Sequence, residues 1–295
     1  MANLKEIRNR ITSVNSTMQI TSAMKMVSAA KLKRAQDAIT QLLPYANKLQ
    51  EIQINLSASL DSSEGEYSQE REENNILIIA VTSNRGLCGG FNNNITKQVK
   101  ALKEGKYAGK NVNLLAIGKK AQEFSNKFYA ENNLSEIPTD LERLYNDLNF
   151  NSVSEVADVV MNLYKEEKID KVELIYNHFI NAANQKVITE QFLPIAAIEE
   201  DSETATTSNA DYIFVPSKEK IIEDIVPKSL KIQLYKAVLD SHAGEHGARM
   251  TAMHKATDNA GDMLFNLKLT YNKARQAAIT NEILEIVGGA EALNS

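Results

Sequence analysis

The sequence predicts an α/β protein in which long N- and C-terminal helices pair as an antiparallel coiled coil, with an α/β domain of largely parallel sheet inserted between them. Three observations predict it. Both ends of the chain carry apolar residues at alternating steps of three and four, the middle alternates short apolar runs with amphipathic stretches, and two acidic segments separate these regions.

The first helix is read from Leu4, Ile7, Ile11, Val14 and Met18, one stripe on a helix that winds against a partner. Neither glycine nor proline occurs before Pro44, so the helix is expected to run on past Met24, Met26, Val27 and Leu32 to about residue 60, with Pro44 as a kink. Residues 61–75 (DSSEGEYSQEREENN) read as an acidic linker, and 76–198 as the α/β domain. Within it Ile76 to Val81, Val112 to Ile117, Val172 to Tyr176 and Val187 to Phe192 read as strands. Helices are expected between them near Ile95 to Leu102, Lys119 to Phe128 and Val153 to Tyr164. A second acidic linker spans 199–210, and 211–295 holds a short segment followed by the C-terminal helix. There Met250, Met253, Thr257, Ala260, Leu264, Leu267, Tyr271, Ala274 and Ala278 form a seam with one polar member. The cheapest partner for each terminal helix is the other.

Composition excludes several classes. A chain of 295 residues, 43% hydrophobic and 24% charged, is neither disordered nor fibrous. A single cysteine, Cys88, rules out a disulfide scaffold and a multi-cysteine metal site. The strongest apolar run, Ile76 to Val81, is strand-sized, so direct membrane insertion is not expected. Arg8, Arg10 and Ser13 on an amphipathic helix would suit a transit peptide, but the same periodicity runs on without a cleavage-like break. Net charge is −5, unevenly spread: residues 1–50 carry +6 and the remainder −11. Such a basic arm is suited to an acidic surface. Nucleic acid is not the expected partner, because the chain as a whole is acidic and lacks interleaved aromatics on the arm.

Two motifs hint at chemistry. The turn TSNRGLCGGFN after the first strand places glycines where backbone N–H groups can approach a phosphate, although Gly86, Gly89 and Gly90 match no established phosphate-binding spacing. A nucleotide-binding α/β enzyme with a coiled-coil oligomerisation arm is the alternative function it supports. His242, Glu245 and His246 spell H-x-x-E-H, an inverted zinc-protease pattern, but Gly244 and Gly247 loosen the helix that must hold it and no third ligand is identifiable. Cys88 has no positioned base, and His178 and His254 stand alone, which makes all three structural. The residues nominate no cofactor, no metal and no catalytic group.

The segment LKEIRNRITSVNSTMQITSAMKMVSAAKLKRAQ (4–36) resembles the opening of the gamma subunits of F-type rotary ATP synthases. ITNEILEIVGGAEA (279–292) resembles that family's C-terminal signature at Ile279, Thr280, Glu282, Glu285, Gly289, Ala290 and Ala292. RMTAMHKATDNAGDM and LTYNKARQAAIT resemble the helix leading into it, and TSNRGLCGGFN the turn of its Rossmann-like domain. The resemblance implies a non-catalytic central rotor stalk that couples transmembrane proton flow to ATP synthesis or hydrolysis in a hexamer of alpha and beta subunits. It also implies contacts with the epsilon subunit and the membrane rotor ring of c subunits, and a peripheral location on the cytoplasmic side of a bacterial inner membrane. By the same resemblance Met24, Arg249, Gln276 and Thr280 face the beta subunit, while Tyr212 and Phe214 in DYIFVP meet the ring or epsilon.

Overall fold

A computed structural model describes residues 4–57, 66–69, 71–129, 134–195 and 218–294. Their order is α1 (Leu4–Ser57), β1 (Asn75–Val81), α2 (Phe91–Glu104), β2 (Asn111–Ile117), α3 (Lys119–Phe128), a short 3-10 helix (Leu141–Tyr145), α4 (Phe150–Lys165), β3 (Lys171–Phe179), β4 (Gln185–Leu193) and α5 (Lys218–Asn294). All four expected strands and all five expected helices are present. Pro44 lies inside α1 and Pro227 inside α5. The segments 58–65 and 196–217, which include residues 61–65 of the first acidic linker and all of the second, lie outside the described residues.

Two compact units result, Met1–Ala29 with Arg249–Ser295 and Ala30–Ala248. In the first, α1 and α5 run antiparallel. Arg8 meets Tyr271, Thr21 meets Thr257 and Lys25 meets His254, so as α1 advances 17 residues α5 retreats 17. The residues that share the seam are those the spacing selects: Ile7, Met253, Ala260 and Leu264 are buried, and Leu4, Ile11, Val14, Met18, Tyr271, Ala274 and Ala278 are half-buried. Past Met18 the α1 seam keeps its period but turns polar, through Thr21, Lys25 and the buried Ser28. Met26 and Val27 fall off it and are exposed.

The second unit is built on a four-stranded sheet in the order β2-β1-β3-β4. β1 pairs in parallel with both β2 and β3, and β4 adds an antiparallel edge to β3. The central strand reads as an unbroken apolar run because both of its faces are covered. Leu77, Ile79 and Val81 enter one core, with α4 residues such as Val153, Val160 and Tyr164 and the α5 stripe Leu230, Leu234 and Val238. Ile76, Ile78 and Ala80 enter the other, with Ile95 and Val99 of α2 and Ala121 of α3. α4 starts where Asn149 caps it, its Oδ1 accepting the Ser152 N–H at 2.9 Å.

Candidate functional site

The glycine turn closes on itself. Asn92, in the first turn of α2, accepts the Ser83 N–H at 3.0 Å through Oδ1, and its amide nitrogen donates to Ser83 Oγ at 2.8 Å and Cys88 Sγ at 3.2 Å. Leu87 and Gly89 take the left-handed conformation, with φ of 63° and 61°. The Ser83 N–H and hydroxyl, the Cys88 sulfur and the Asn92 amide are engaged in holding the turn, and Asn92, which the glycine spacing did not nominate, is the residue that organises it. Cys88 is buried within this network.

The H-x-x-E-H segment lies inside α5, which continues through Gly244 and Gly247. Those glycines do not loosen it. A side chain at Gly244 would meet the Asn177 carbonyl at 3.4 Å and Phe91 at 3.5 Å, and one at Gly247 would meet Phe179 at 3.0 Å, so their role is to let α5 approach the β3 end of the sheet. His242 and His246 face each other with Nε2 atoms 3.1 Å apart, which requires one nitrogen to donate and the other to accept. Tyr145 stacks on His242 at 5.7 Å between centroids and donates to the Thr82 carbonyl at 2.9 Å. Burial first, and the Glu245 charge second, hold the Tyr145 hydroxyl well above its ordinary pKa. The motif thus knits the 3-10 helix, the end of β1 and α5 together. Among the described residues no three His, Cys, Asp or Glu side chains converge as metal ligands.

His178 and His254 are not alone. His178 Nδ1 lies 2.5 Å from Asp240 Oδ2, and the other Asp240 oxygen accepts the Phe179 N–H at 2.9 Å, fastening α5 to β3. His254 sits 3.3 Å from Lys25 Nζ and 3.4 Å from Asp258.

The remaining candidate is the surface of the paired helices. Met24 is half-buried, its carbonyl accepting the Ser28 hydroxyl at 2.7 Å. Arg249 is buried, whereas Gln276 and Thr280 are exposed, with the Thr280 hydroxyl donating to the Gln276 carbonyl at 3.0 Å. The antiparallel register sets Met24 near Arg249's end of the pair, and 27 residues of helix, about 40 Å at 1.5 Å per residue, separate Arg249 from Gln276. The four residues therefore form two bands and not one site. Tyr212 and Phe214 lie outside the described residues.

The same register takes the described part of α1 only to about residue 275 of α5. Beyond it Ile279, Ile283, Leu284, Ile286 and Val287 are all exposed, Ile286 by 72%. Ile20, Met26, Val27, Met263 and Phe265 add large exposed apolar groups along the paired stretch. Apolar exposure on this scale marks a surface made to be covered. Among the described residues no helix is long and apolar enough to cross a membrane.

Paired terminal helices with exposed apolar residues, joined in sequence to a mixed-sheet α/β unit, define a class of subunit built on a terminal helical pair. A family model described as ATP synthase matches residues 3–293. The ATP synthase gamma chain of Flavobacterium psychrophilum is 59% identical over 294 residues, covering 99% of both chains. That of Flavobacterium johnsoniae is 58% identical over the whole of both. Among solved structures, a chain of the Euglena gracilis mitochondrial ATP synthase rotor shares the fold with a TM-score of 0.65 at 21% identity, covering 94% of this chain and 98% of that one. The chain belongs to the family of ATP synthase gamma chains.

Proposed function

We propose that this gamma chain is the central rotor stalk of its ATP synthase, with no catalytic residue of its own, and that it couples transmembrane proton flow to ATP synthesis and hydrolysis by turning inside a hexamer of alpha and beta subunits. The observation that carries the reading is the uncovered apolar end of α5, where Ile279, Ile283, Ile286 and Val287 stand exposed beyond the reach of the described part of α1. Apolar exposure of this kind on a helix end marks a surface that a surrounding partner covers. The solved structure from Tetrahymena thermophila that shares 80% of this chain, with a TM-score of 0.58, is titled as a central stalk and c-ring, which supports the same reading.

In this assignment the two bands on the paired helices, Met24 with Arg249 and Gln276 with Thr280, are contacts to the beta subunit. The +6 charge of residues 1–50 complements an acidic partner without locking to it. Tyr212 and Phe214 meet the ring of c subunits or the epsilon subunit, and the complex stands on the cytoplasmic face of a bacterial inner membrane. Domain boundaries follow the same scheme, with helical segments at 1–60 and 211–295 and the α/β domain at 76–198.

Co-expression with the matching alpha and beta subunits tests the assignment. A tagged chain retains both in a complex that hydrolyses ATP, and Ile283→Asp with Ile286→Asp weakens that retention while leaving the isolated chain folded. Purification of the wild-type chain free of alpha and beta subunits would overturn it.

A further inference from the structure

Within an acidic chain, residues 91–129 hold eight lysines, no arginine and only two acids, Glu104 and Glu123. That is a local net charge of +6 against −5 for the whole. Lys106 is engaged by Glu173 at 2.5 Å and Lys120 by Glu123 at 2.7 Å. Lys97, Lys100, Lys103 and Lys127 have no carboxylate within ion-pair distance among the described residues.

These lysines gather around one exposed ring, Phe128, and the buried Tyr129. Lys100 Nζ lies 4.4 Å and Lys127 Nζ 5.5 Å from the centroid of Phe128, and Lys103 Nζ lies 4.3 Å from that of Tyr129. Phe128 is 46% exposed and leans on Phe124 at 5.0 Å. The rings accept the ammonium groups electrostatically but do not neutralise them. α2 and α3 both cover the same face of the sheet, so the lysines and Phe128 share the outer surface of one helical layer.

We propose that the outer face of α2 and α3 docks on an anionic lipid bilayer. Lysine is a hydrated point charge suited to a field of headgroup phosphates, whereas bidentate recognition of a defined carboxylate partner would favour arginine, which is absent here. An exposed phenylalanine among lysines supplies the apolar group that inserts at the headgroup boundary. The proposal concerns the α/β unit and is independent of the rotor reading. It holds the free chain at the surface where a membrane-associated complex is assembled.

Co-sedimentation of the full chain with vesicles tests it. The chain binds vesicles of phosphatidylcholine mixed with phosphatidylglycerol, not phosphatidylcholine alone, and high salt releases it. Neutralising Lys100, Lys103 and Lys127 to Gln lowers the partition coefficient about a hundredfold, roughly fivefold for each lysine. Phe128→Ser lowers it severalfold. A matched control on α1, Lys31→Gln with Lys33→Gln and Arg34→Gln, leaves it unchanged. Equal binding to both vesicle types overturns the proposal, as does binding that survives the α2–α3 variant and is lost in the α1 control. Binding of soluble RNA or polyglutamate by the wild type but not the triple variant, with neither vesicle bound, reassigns the face to a different partner.

Discussion

The Arg8 guanidinium on α1 donates to the Tyr271 hydroxyl on α5 at 2.8 Å and stands 5.8 Å from the centre of its ring. One contact therefore fixes the register of the paired helices near the start of α1. Both a neutral acceptor and a ring face are involved, so removal of the hydroxyl alone loses only part of it. Tyr271→Phe is expected to cost about 0.5 kcal/mol and Tyr271→Ala about 1–2 kcal/mol, seen as faster amide exchange in the first turns of α1 with the rest of the chain unchanged.

Ala274 sits half-buried in the seam one turn beyond Tyr271. Proline there removes a backbone donor and clashes with the preceding turn, at a cost of about 3 kcal/mol or more. Ala274→Pro should lower helicity by circular dichroism and weaken coupling between proton flow and ATP synthesis. His246→Ala, distant in sequence and buried against His242, should reduce thermal stability and leave coupling intact.

Glycines on α5 separate by what they touch. Gly261 has nothing within 4 Å of a added Cβ, and alanine there should stabilise by up to about 1 kcal/mol through helix propensity. At Gly247 the Cβ position is 3.0 Å from Phe179 and 3.3 Å from the Ala182 backbone, so Gly247→Val should destabilise by about 1–3 kcal/mol. Gly118, at φ +95° with a Cβ position 2.3 Å from the Thr82 carbonyl, should tolerate no side chain at all. Thermal melts of the three variants rank them.

Burial, with the Glu104 charge as the lesser cause, pushes the Tyr129 hydroxyl up to about 12. Tyr107 and Tyr176 are raised further, first by burial and then by hydrogen bonds to Glu173 and Glu190. A folded pKa above the unfolded value of about 10 means that the fold favours the protonated form. This stabilisation is complete below pH about 10 and is lost as pH rises through the folded values. Alkaline titration followed by tyrosinate absorbance should show these hydroxyls ionising together with unfolding, above pH about 12.

The helices were legible because their apolar residues are periodic, and the central strand because it is a short unbroken apolar run. The seam from Met250 to Ala278 is covered at each member, and Lys119 to Phe128 is α3 to the residue. The polar continuation of the α1 seam through Thr21 and Ser28 is equally regular but carries no apolar signal, and the neighbouring Met26 and Val27 are exposed. The stripe Leu230, Leu234 and Val238 has the spacing of a buried face but is too short to stand out beside the longer seam. Asp240 with His178, and Asn92 with Ser83, join residues 62 and 9 positions apart. Side-chain pairing of this kind leaves no local pattern. The lysines around Phe128 become a patch only once α2 and α3 lie side by side, since the overall charge of −5 conceals them.

Cys88 is buried in the glycine turn, so a probe belongs elsewhere, and the exposed Lys110 in the turn before β2 offers a site after Cys88→Ser and Lys110→Cys. The most direct test of the stalk assignment is rotation of a bead at that position, with the alpha and beta subunits immobilised and ATP supplied. The account predicts stepwise rotation in one direction that stops when ATP is withdrawn. A bead that stays fixed while the same assembled complexes hydrolyse ATP at the normal rate would contradict it.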